Sequence, residues 1–403
     1  MIFVFICIFS NSIHPILSSL QVNSGGVQAL VIVPSRELAL QIEQVFKQMG
    51  TGFKVNCCYG GHSTRTEKNN LSHPPALLVG TPGRIAYHIR HESFDPGTVR
   101  TLVLDEFDKA LEFGFKDDMS FIIESLSRLS RRILTSATDM EEIPDFAGMD
   151  RPIRLNYLNA EKPTTAGLKV KYLQAADNDK LQLLFSLICK LNDKLTLVFC
   201  NHKEAVDRIS ALLHNKGLPH GTFHGGMEQE DRERSLIKFR NGSHRLLVAT
   251  DLASRGLDIP EISAVIHYQL PVTEEVFTHR NGRTARMHAS GTAYLLLTAK
   301  EHLPEFVDPS IQQESLPKKD VLPDPTPWST LYIAAGKKEK INKMDIVGLI
   351  LQKGRIDKED LGRIEVLDHT SYAAVKRGKI DGVLSLIRNE KIKNKKVKMD
   401  VSR

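Results

Sequence analysis

Short continuous apolar runs alternate with longer amphipathic stretches along this chain, and that alternation predicts its elements. Ala29–Val33, Ala76–Val79, Thr101–Leu104 and Arg132–Thr135 form one set of runs; Leu195–Cys200, Arg245–Ala249, Ala264–His267 and Thr292–Leu297 form another. Uninterrupted runs are expected of parallel strands covered on both faces. Arg36–Met49, Asp117–Leu129, Lys203–Asn215 and Asp231–Arg240 read as helices between them. Strands alternating with helices predict doubly wound α/β sheets, here two in tandem. The irregular stretch Met149–Ala166 separates them, giving domains over 1–155 and 167–300. Six prolines (304, 309, 317, 323, 325 and 327) make 301–330 read as a stiff, non-core connector. Alternating runs at Arg363–Leu367 and Tyr372–Val375 then predict a small α+β module over 331–403.

Composition narrows the class. With 41% apolar and 25% charged residues, global disorder, a collagen-like repeat and a polytopic membrane protein are excluded. Cys7, Cys57, Cys58, Cys189 and Cys200 form no C-x-x-C pair, which argues against a disulfide framework or structural zinc and for a reducing, cytoplasmic setting. From Lys337 to Arg403 the chain holds 18 Lys/Arg against 10 Asp/Glu, an excess larger than the +6 of the whole chain. That segment is where a polyanion such as RNA is to be sought, a solvated basic tail being the plain alternative. Met1–Ser10 is apolar but lacks the basic start of a signal peptide, and it is too short to span a membrane.

In open α/β sheets ligands bind beyond the carboxyl ends of the strands, so the residues past each run hold the candidate chemistry. Leu104 leads into Asp105-Glu106-Phe107-Asp108. Adjacent carboxylates there are costly unless a cation uses them. A Walker-B-like role places Asp105 and Glu106 at Mg²⁺, Glu106 orienting the attacking water; an acidic turn is the alternative. Val33 leads into Pro34-Ser35-Arg36-Glu37, the run Lys54–Cys58 into Tyr59-Gly60-Gly61, Val79 into Gly80-Thr81-Pro82-Gly83-Arg84, and Leu134 into Thr135-Ser136-Ala137-Thr138. Glycines and short hydroxyl residues at helix starts leave N–H groups for phosphate oxygens. Further on come Thr250-Asp251, Gly256-Leu257-Asp258 and the stretch His279–Arg286. Arg283 and Arg286 are three apart, so on a helical turn both guanidinium groups face one phosphoryl group.

This order of motifs, from about His14 to Leu297, resembles the DEAD-box RNA helicases. The resemblance implies an α/β chain of two tandem RecA-like parallel-sheet domains that close over ATP and Mg²⁺ and bend one RNA strand. By the same resemblance, Asp105, Glu106, Arg283 and Arg286 are catalytic, with Asp105 and Glu106 at the metal, and Asp108, Gly256 and Asp258 bind the nucleotide. Ser136, Ala137, Thr138 and His279 would couple ATP to RNA. The RNA backbone would be held by Pro34, Ser35, Arg36, Glu37, Gly60, Gly61, Thr81, Pro82, Gly83, Arg84, Thr250 and Asp251. Val198–Asn201 and His224-Gly225-Gly226 look like RNA-side motifs as well.

The C-terminal segment resembles the RRM-like RNA-binding domain of DbpA-like helicases. The resemblance is carried by Trp328–Ile333, Gly336–Lys343, Asp345–Gly348, Leu361–Ile364 and Ser371–Val375. It implies an anchor on structured, ribosomal RNA, with Lys337, Lys338, Lys340 and Lys343 as contacts. Neither a membrane nor an obligate oligomer is implied.

One departure outweighs the rest. The family opens with an adenine-reading Q motif and a Walker A loop, A-x-x-G-x-G-K-T, yet no G-K-[ST] precedes Pro34. Where that loop would fall, Phe3–Phe9 is apolar, and His14-Pro15-Ile16-Leu17 resembles the end of the helix that follows it. Phosphoryl transfer depends on positioning and charge stabilisation, so ATP hydrolysis by this chain is expected to be weak or absent. The expected origin is a truncated or frame-shifted gene, or a divergent RNA-binding protein that no longer needs ATP. Phe107 for Ala and Ala285 for Gly are lesser departures.

Overall fold

The computed structural model describes residues 15–402 except 23, 62, 137–139, 141, 156–166, 254–258, 260–261 and 285–290. The expectations for 1–14, Ala137, Thr138, Gly256, Asp258, Ala285 and Arg286 lie outside the described residues. The chain divides into two compact units, with the break after Thr164.

In the first unit, β1 (Ala29–Ile32), β2 (Val55–Cys58), β3 (Leu77–Gly80), β4 (Thr101–Leu104) and β5 (Arg131–Leu134) form a parallel sheet of order β2-β3-β1-β4-β5. The helices are α1 (Arg36–Gln48), α2 (Thr64–Leu71), α3 (Pro82–Arg90), α4 (Phe107–Glu112) and α5 (Lys116–Ser125). The continuous apolar runs have a direct cause. Leu30, Ile32, Leu78, Leu102 and Leu104 enter one core, and Ala29, Val31, Leu77, Val79 and Val103 the core on the opposite face. Ile16, in the helical turn Pro15–Leu17, is buried in the second of these.

In the second unit, β6 (Leu168–Gln174), β7 (Thr196–Cys200), β8 (Gly221–Phe223), β9 (Leu246–Thr250), β10 (Ala264–His267), β11 (Gly291–Leu297) and β12 (Gln312–Gln313) form a parallel sheet of order β12-β6-β11-β10-β7-β9-β8. Around it lie α6 (Leu181–Leu191), α7 (Lys203–Asn215), α8 (Gln229–Arg240) and α9 (Glu274–Asn281). Strand β6 (LKVKYLQ) escapes the apolar-run criterion because most of its side chains are partly exposed, so its sequence mixes lysines with apolar residues.

The proline-rich stretch is more than a spacer. Its Gln312–Gln313 pairs in parallel with Lys171 and Tyr172 of β6. Glu314 bridges Lys171 (2.8 Å) and Lys190 (2.7 Å); burial pushes its carboxyl up, but the hydrogen bonds and charges of the two ammonium groups outweigh it and hold it down at about 2. Asp320 accepts from Gln182 (2.9 Å) and Ser186 (3.0 Å) on α6. The stretch therefore runs along the second parallel sheet before it reaches the C-terminal module.

That module begins at Trp328, inside the expected connector. Its β13 (Trp328–Ile333), β14 (Leu361–Val366), β15 (Ser371–Lys376) and β18 (Met399–Val401) form an antiparallel sheet of order β14-β15-β13-β18, with β16 (Lys391–Ile392) and β17 (Lys395–Lys396) as a separate hairpin. Helices α10 (Lys343–Gly348) and α11 (Ile380–Ile387) supply the apolar core of one sheet face through residues such as Ile346, Val383, Leu384 and Ile387. Side chains of the other face meet the second parallel-sheet domain. Thr330 Oγ1 donates to Ser243 Oγ (2.8 Å) and accepts from Asn241 Nδ2 (2.9 Å). Arg240 pairs with Glu365 at 3.1 Å. Gly242, at φ +79°, leaves room for the Trp328 indole, which a Cβ there would meet at 3.2 Å.

Candidate functional site

Strand β4 delivers Asp105 to its carboxyl end, where the Asp105 N–H still donates to Ile32 O (2.9 Å). Thr135, the first residue past the neighbouring β5, locks this end. Its hydroxyl donates to Asp105 Oδ1 and accepts from the Glu106 N–H (3.2 Å), and its carbonyl accepts from the Phe107 N–H (3.0 Å). Glu106 sits at φ 49°, ψ 49°, a left-handed conformation that costs a non-glycine residue about 1–2 kcal/mol. This turn sends Phe107 into the core, fully buried and 5.9 Å from Phe146. The aromatic ring at the usual alanine position therefore faces away from the carboxylates.

Asp105 is 5% exposed. Burial pushes its carboxyl up, the Thr135 and Glu106 hydrogen bonds pull it back, and the nearby Asp108 charge pushes it up again. Burial therefore makes the ionised carboxylate costlier than it is in water, and a cation bound beside it would offset that cost. Oxygen donors of this kind suit Mg²⁺, with Asp105 and Glu106 as the residues that would hold it. The triphosphate fits less well, because the sequence contains no G-K-[ST] triplet to supply the lysine and amides that hold β- and γ-phosphates.

The expected RNA contacts of the first unit gather around the ends of β1, β2 and β3. Ser35 caps α1, its Oγ accepting from the Leu38 N–H at 3.2 Å, while Pro34 precedes it and Glu37 lies in the first turn. The Arg36 guanidinium occupies the space a side chain on Gly61 would need, and Gly61 is at φ +82°. Thr81 caps α3 without spending its hydroxyl on the helix, Pro82 opens it, and Gly83 lies against Asp118. Arg84 is held from below by Glu67 at 3.0 Å.

Glu67 was invisible in the sequence. It sits in the polar helix α2 (TRTEKNNL), 1% exposed. Its carboxylate accepts from the Tyr59 N–H (3.1 Å), Arg84 Nη1 (3.0 Å) and His88 Nε2 (2.8 Å), so one buried group fixes both the Gly60-Gly61 turn and the Thr81–Arg84 turn. Cys58, Glu67 and His88 have ligand atoms within 4.8 Å of one another. Burial raises the Cys58 thiol, however, and Glu67 is already filled by donors, so the group reads as a hydrogen-bonded network. Glu67→Gln should cost the first unit about 3 kcal/mol, as expected when a buried charged network loses one member. If Arg84 touches RNA, the salt dependence of RNA binding should also fall by about 0.7 in log–log slope, read by fluorescence anisotropy.

In the second unit the arginine stretch divides by role. Arg280 is fully buried and ties three strand ends to α9. It donates to Asp251 (2.6 and 2.9 Å), Gln269 O (2.9 Å) and Asn201 Oδ1 (2.7 Å), with its guanidinium 5.2 Å from the Phe199 ring centre. The carboxylate of Asp251, expected on RNA, is thus held by Arg280, and Thr250 ends β9 beside it. His267, fully buried and bonded to Asn281 at 3.0 Å, is driven down to about 3 by burial and by the Arg280 charge, and stays neutral. His279 faces Glu275 at 3.4 Å.

The helical turn expected to join Arg283 and Arg286 is not formed at Arg283. Gly282 caps α9, and Thr284 instead bridges in parallel to Ile262, its hydroxyl donating to Ile262 O. Arg283 is 6% exposed in the intervening turn. In the first unit Ser136 follows Thr135 directly and Asp108 lies in α4, 8% exposed. In the C-terminal module Lys337, Lys338, Lys340 and Lys343 are all exposed, on a single turn and the start of α10.

Comparison with known proteins gives the following. Residues 12–146 match the DEAD/DEAH box helicase family, residues 179–288 the helicase conserved C-terminal domain, and residues 330–401 the DbpA RNA binding domain. The chain is 31% identical to the ATP-dependent RNA helicase DbpA of Bacillus subtilis over 405 residues, 93% of this chain and 84% of that one. It is 30% identical to DbpA of Escherichia coli over 392 residues, 94% of this chain and 85% of that one. The solved structure of S. cerevisiae Dbp5 bound to RNA and ADP BeF3 shares the fold, with a TM-score of 0.61 at 23% identity over 71% of this chain and 75% of that one.

Proposed function

Since the chain belongs to the DEAD-box RNA helicases of the DbpA type, we propose that it acts on structured ribosomal RNA and that these 403 residues turn over ATP weakly or not at all. The observation that carries this reading is an asymmetry. Thr135 fixes the carboxylate turn and Glu67 fixes the Gly60-Gly61 and Thr81–Arg84 turns, while the sequence supplies no G-K-[ST] lysine for the triphosphate.

Each part then has a role. Asp105 and Glu106 offer oxygens to Mg²⁺, which when bound would neutralise phosphate charge. Arg283 and Arg286 offer guanidinium groups to the same class of ligand. Asp108, Gly256 and Asp258 contribute to nucleotide binding, and Ser136, Ala137, Thr138 and His279 to coupling. Pro34, Ser35, Arg36, Glu37, Gly60, Gly61, Thr81, Pro82, Gly83, Arg84, Thr250 and Asp251 position the RNA backbone without reading bases. In the C-terminal module one face of the sheet carries the core and the other contacts the second helicase domain through Thr330 and Glu365, so the exposed Lys337, Lys338, Lys340 and Lys343 are assigned the RNA anchor. A cytoplasmic setting is part of the same proposal.

The missing lysine also favours a second reading, an RNA-binding protein with no fuel. The two are separated by titrating a labelled ribosomal RNA hairpin with and without ATP·Mg²⁺. An affinity that rises with the nucleotide supports a helicase cycle. An affinity indifferent to it supports the binding protein, and no affinity for RNA under either condition overturns both.

A further inference from the structure

Lys238, near the end of α8, is 9% exposed, and its ammonium has no carboxylate and no hydrogen-bond acceptor among the described residues. Its charged neighbours are Arg234 on its own helix and Arg377 from the turn after β15, both positive. His244, on the approach to β9, belongs to the same group. Its Nδ1 is buried without a partner, and it feels the charges of Lys238, His220 and Arg377. Arg245 faces Arg377 in turn.

The arginines already have acceptors. Arg377 donates to Thr326 O (2.6 Å), Thr326 Oγ1 (2.6 Å) and Trp328 O (2.9 Å), and Arg245 to Asp324 O (2.9 Å). Arg234 pairs with Asp231. Lys238 and His244 are therefore the members left without an acceptor. Burying a cation among cations is unfavourable unless an anion arrives. Nothing in the packing demands a charge here, since methionine would fill nearly the same volume.

We propose that Lys238, His244 and Arg377 form a phosphate-binding site where the second helicase domain meets the C-terminal module, and that its occupant is a backbone phosphate of RNA. The site lies where the chain passes from the helicase sheet to the anchor, so a strand leaving one surface for the other is held between them. The proposal rests on the reading that the chain binds RNA.

Burial, with the Arg234 and Arg377 charges, lowers the Lys238 ammonium to about 8. An anion binds only the protonated form, so that share of the affinity is present at pH 7 and lost as pH rises to 9. His244, held down at about 3 by burial and these same cations, is neutral throughout that range.

The test uses the full chain and a fluorescein-labelled ribosomal RNA hairpin. Lys238→Met should bind about tenfold more weakly, with a log–log salt slope smaller by about 0.7–0.9. Its melting temperature should rise, because a repulsive buried charge is gone; a lysine that merely holds the fold together would lower it. Lys238→Arg should keep most of the affinity while losing the decline between pH 7 and 9, and this comparison stands if the methionine variant does not fold. Wild-type RNA binding with unchanged affinity, slope and pH profile in both variants overturns the site. Inorganic phosphate that raises the melting temperature of wild type but not of Lys238→Met, with RNA affinity equal in the two, assigns the pocket to free phosphate and overturns the RNA assignment. Absence of wild-type RNA binding overturns the parent reading instead.

Discussion

Arg280→Ala is expected to destabilise the second unit by about 3 kcal/mol, seen as a fall of about 6–12 °C in its melting temperature. The guanidinium is fully buried and makes hydrogen bonds to Asp251, Gln269 and Asn201. Alanine would leave the half-buried Gln269 carbonyl and the Asn201 amide without their donor, and a charge-assisted bond typically contributes about 1.5–3 kcal/mol. Asp251, 42% exposed, can be rehydrated, which keeps the loss from being larger. Lysine should recover only part of the effect, because an ammonium cannot span three strand ends with a planar fork. RNA affinity should fall with stability, since Asn201, Thr250 and Asp251 share the same anchor. A melting temperature within 2 °C of wild type (roughly 1 kcal/mol or less) would show that the buried arginine is dispensable.

ATP hydrolysis by the 403-residue chain, at saturating RNA, should lie at least ~10³-fold below that of a relative with an intact Walker A loop. Removing a single preorganised donor from a developing oxyanion already lowers turnover by about 10²–10³, and these 403 residues hold no G-K-[ST] triplet to supply the lysine and its loop amides. The measurement is steady-state phosphate release with excess Mg²⁺. Joining a strand–A-x-x-G-x-G-K-T–helix segment ahead of Pro15 should restore RNA-stimulated release, because the Asp105–Thr135 lock and the Glu106 turn are already formed. Turnover by the unextended chain at the relative's rate would mean that another group holds the triphosphate.

Much of this was legible in the sequence, for a physical reason. A strand covered on both faces must be apolar at every position, so β1, β4, β7, β9 and β10 declared themselves as runs. Strand β8 is three residues long at a sheet edge, and α2 buries a glutamate instead of a leucine stripe, so neither leaves an apolar signature. The residues past the strand ends were legible as motifs, because ligand chemistry there limits the residue types allowed. Their supports were not, since Glu67 and Arg280 look like ordinary surface charges until folding surrounds them with donors and acceptors.

The amino-acid order by itself determined the two parallel sheets, the acidic and glycine turns at their carboxyl ends, the basic C-terminal module and the lack of a G-K-[ST] lysine, all being properties of local residue type and spacing. Only the tertiary structure decided that the proline-rich stretch lies along β6, that Thr330 and Trp328 face Asn241, Ser243 and Gly242, and that Lys238 is buried among cations. Those facts depend on groups dozens of residues apart meeting in space, and burial and charge acquire their energetic meaning only once that meeting has taken place.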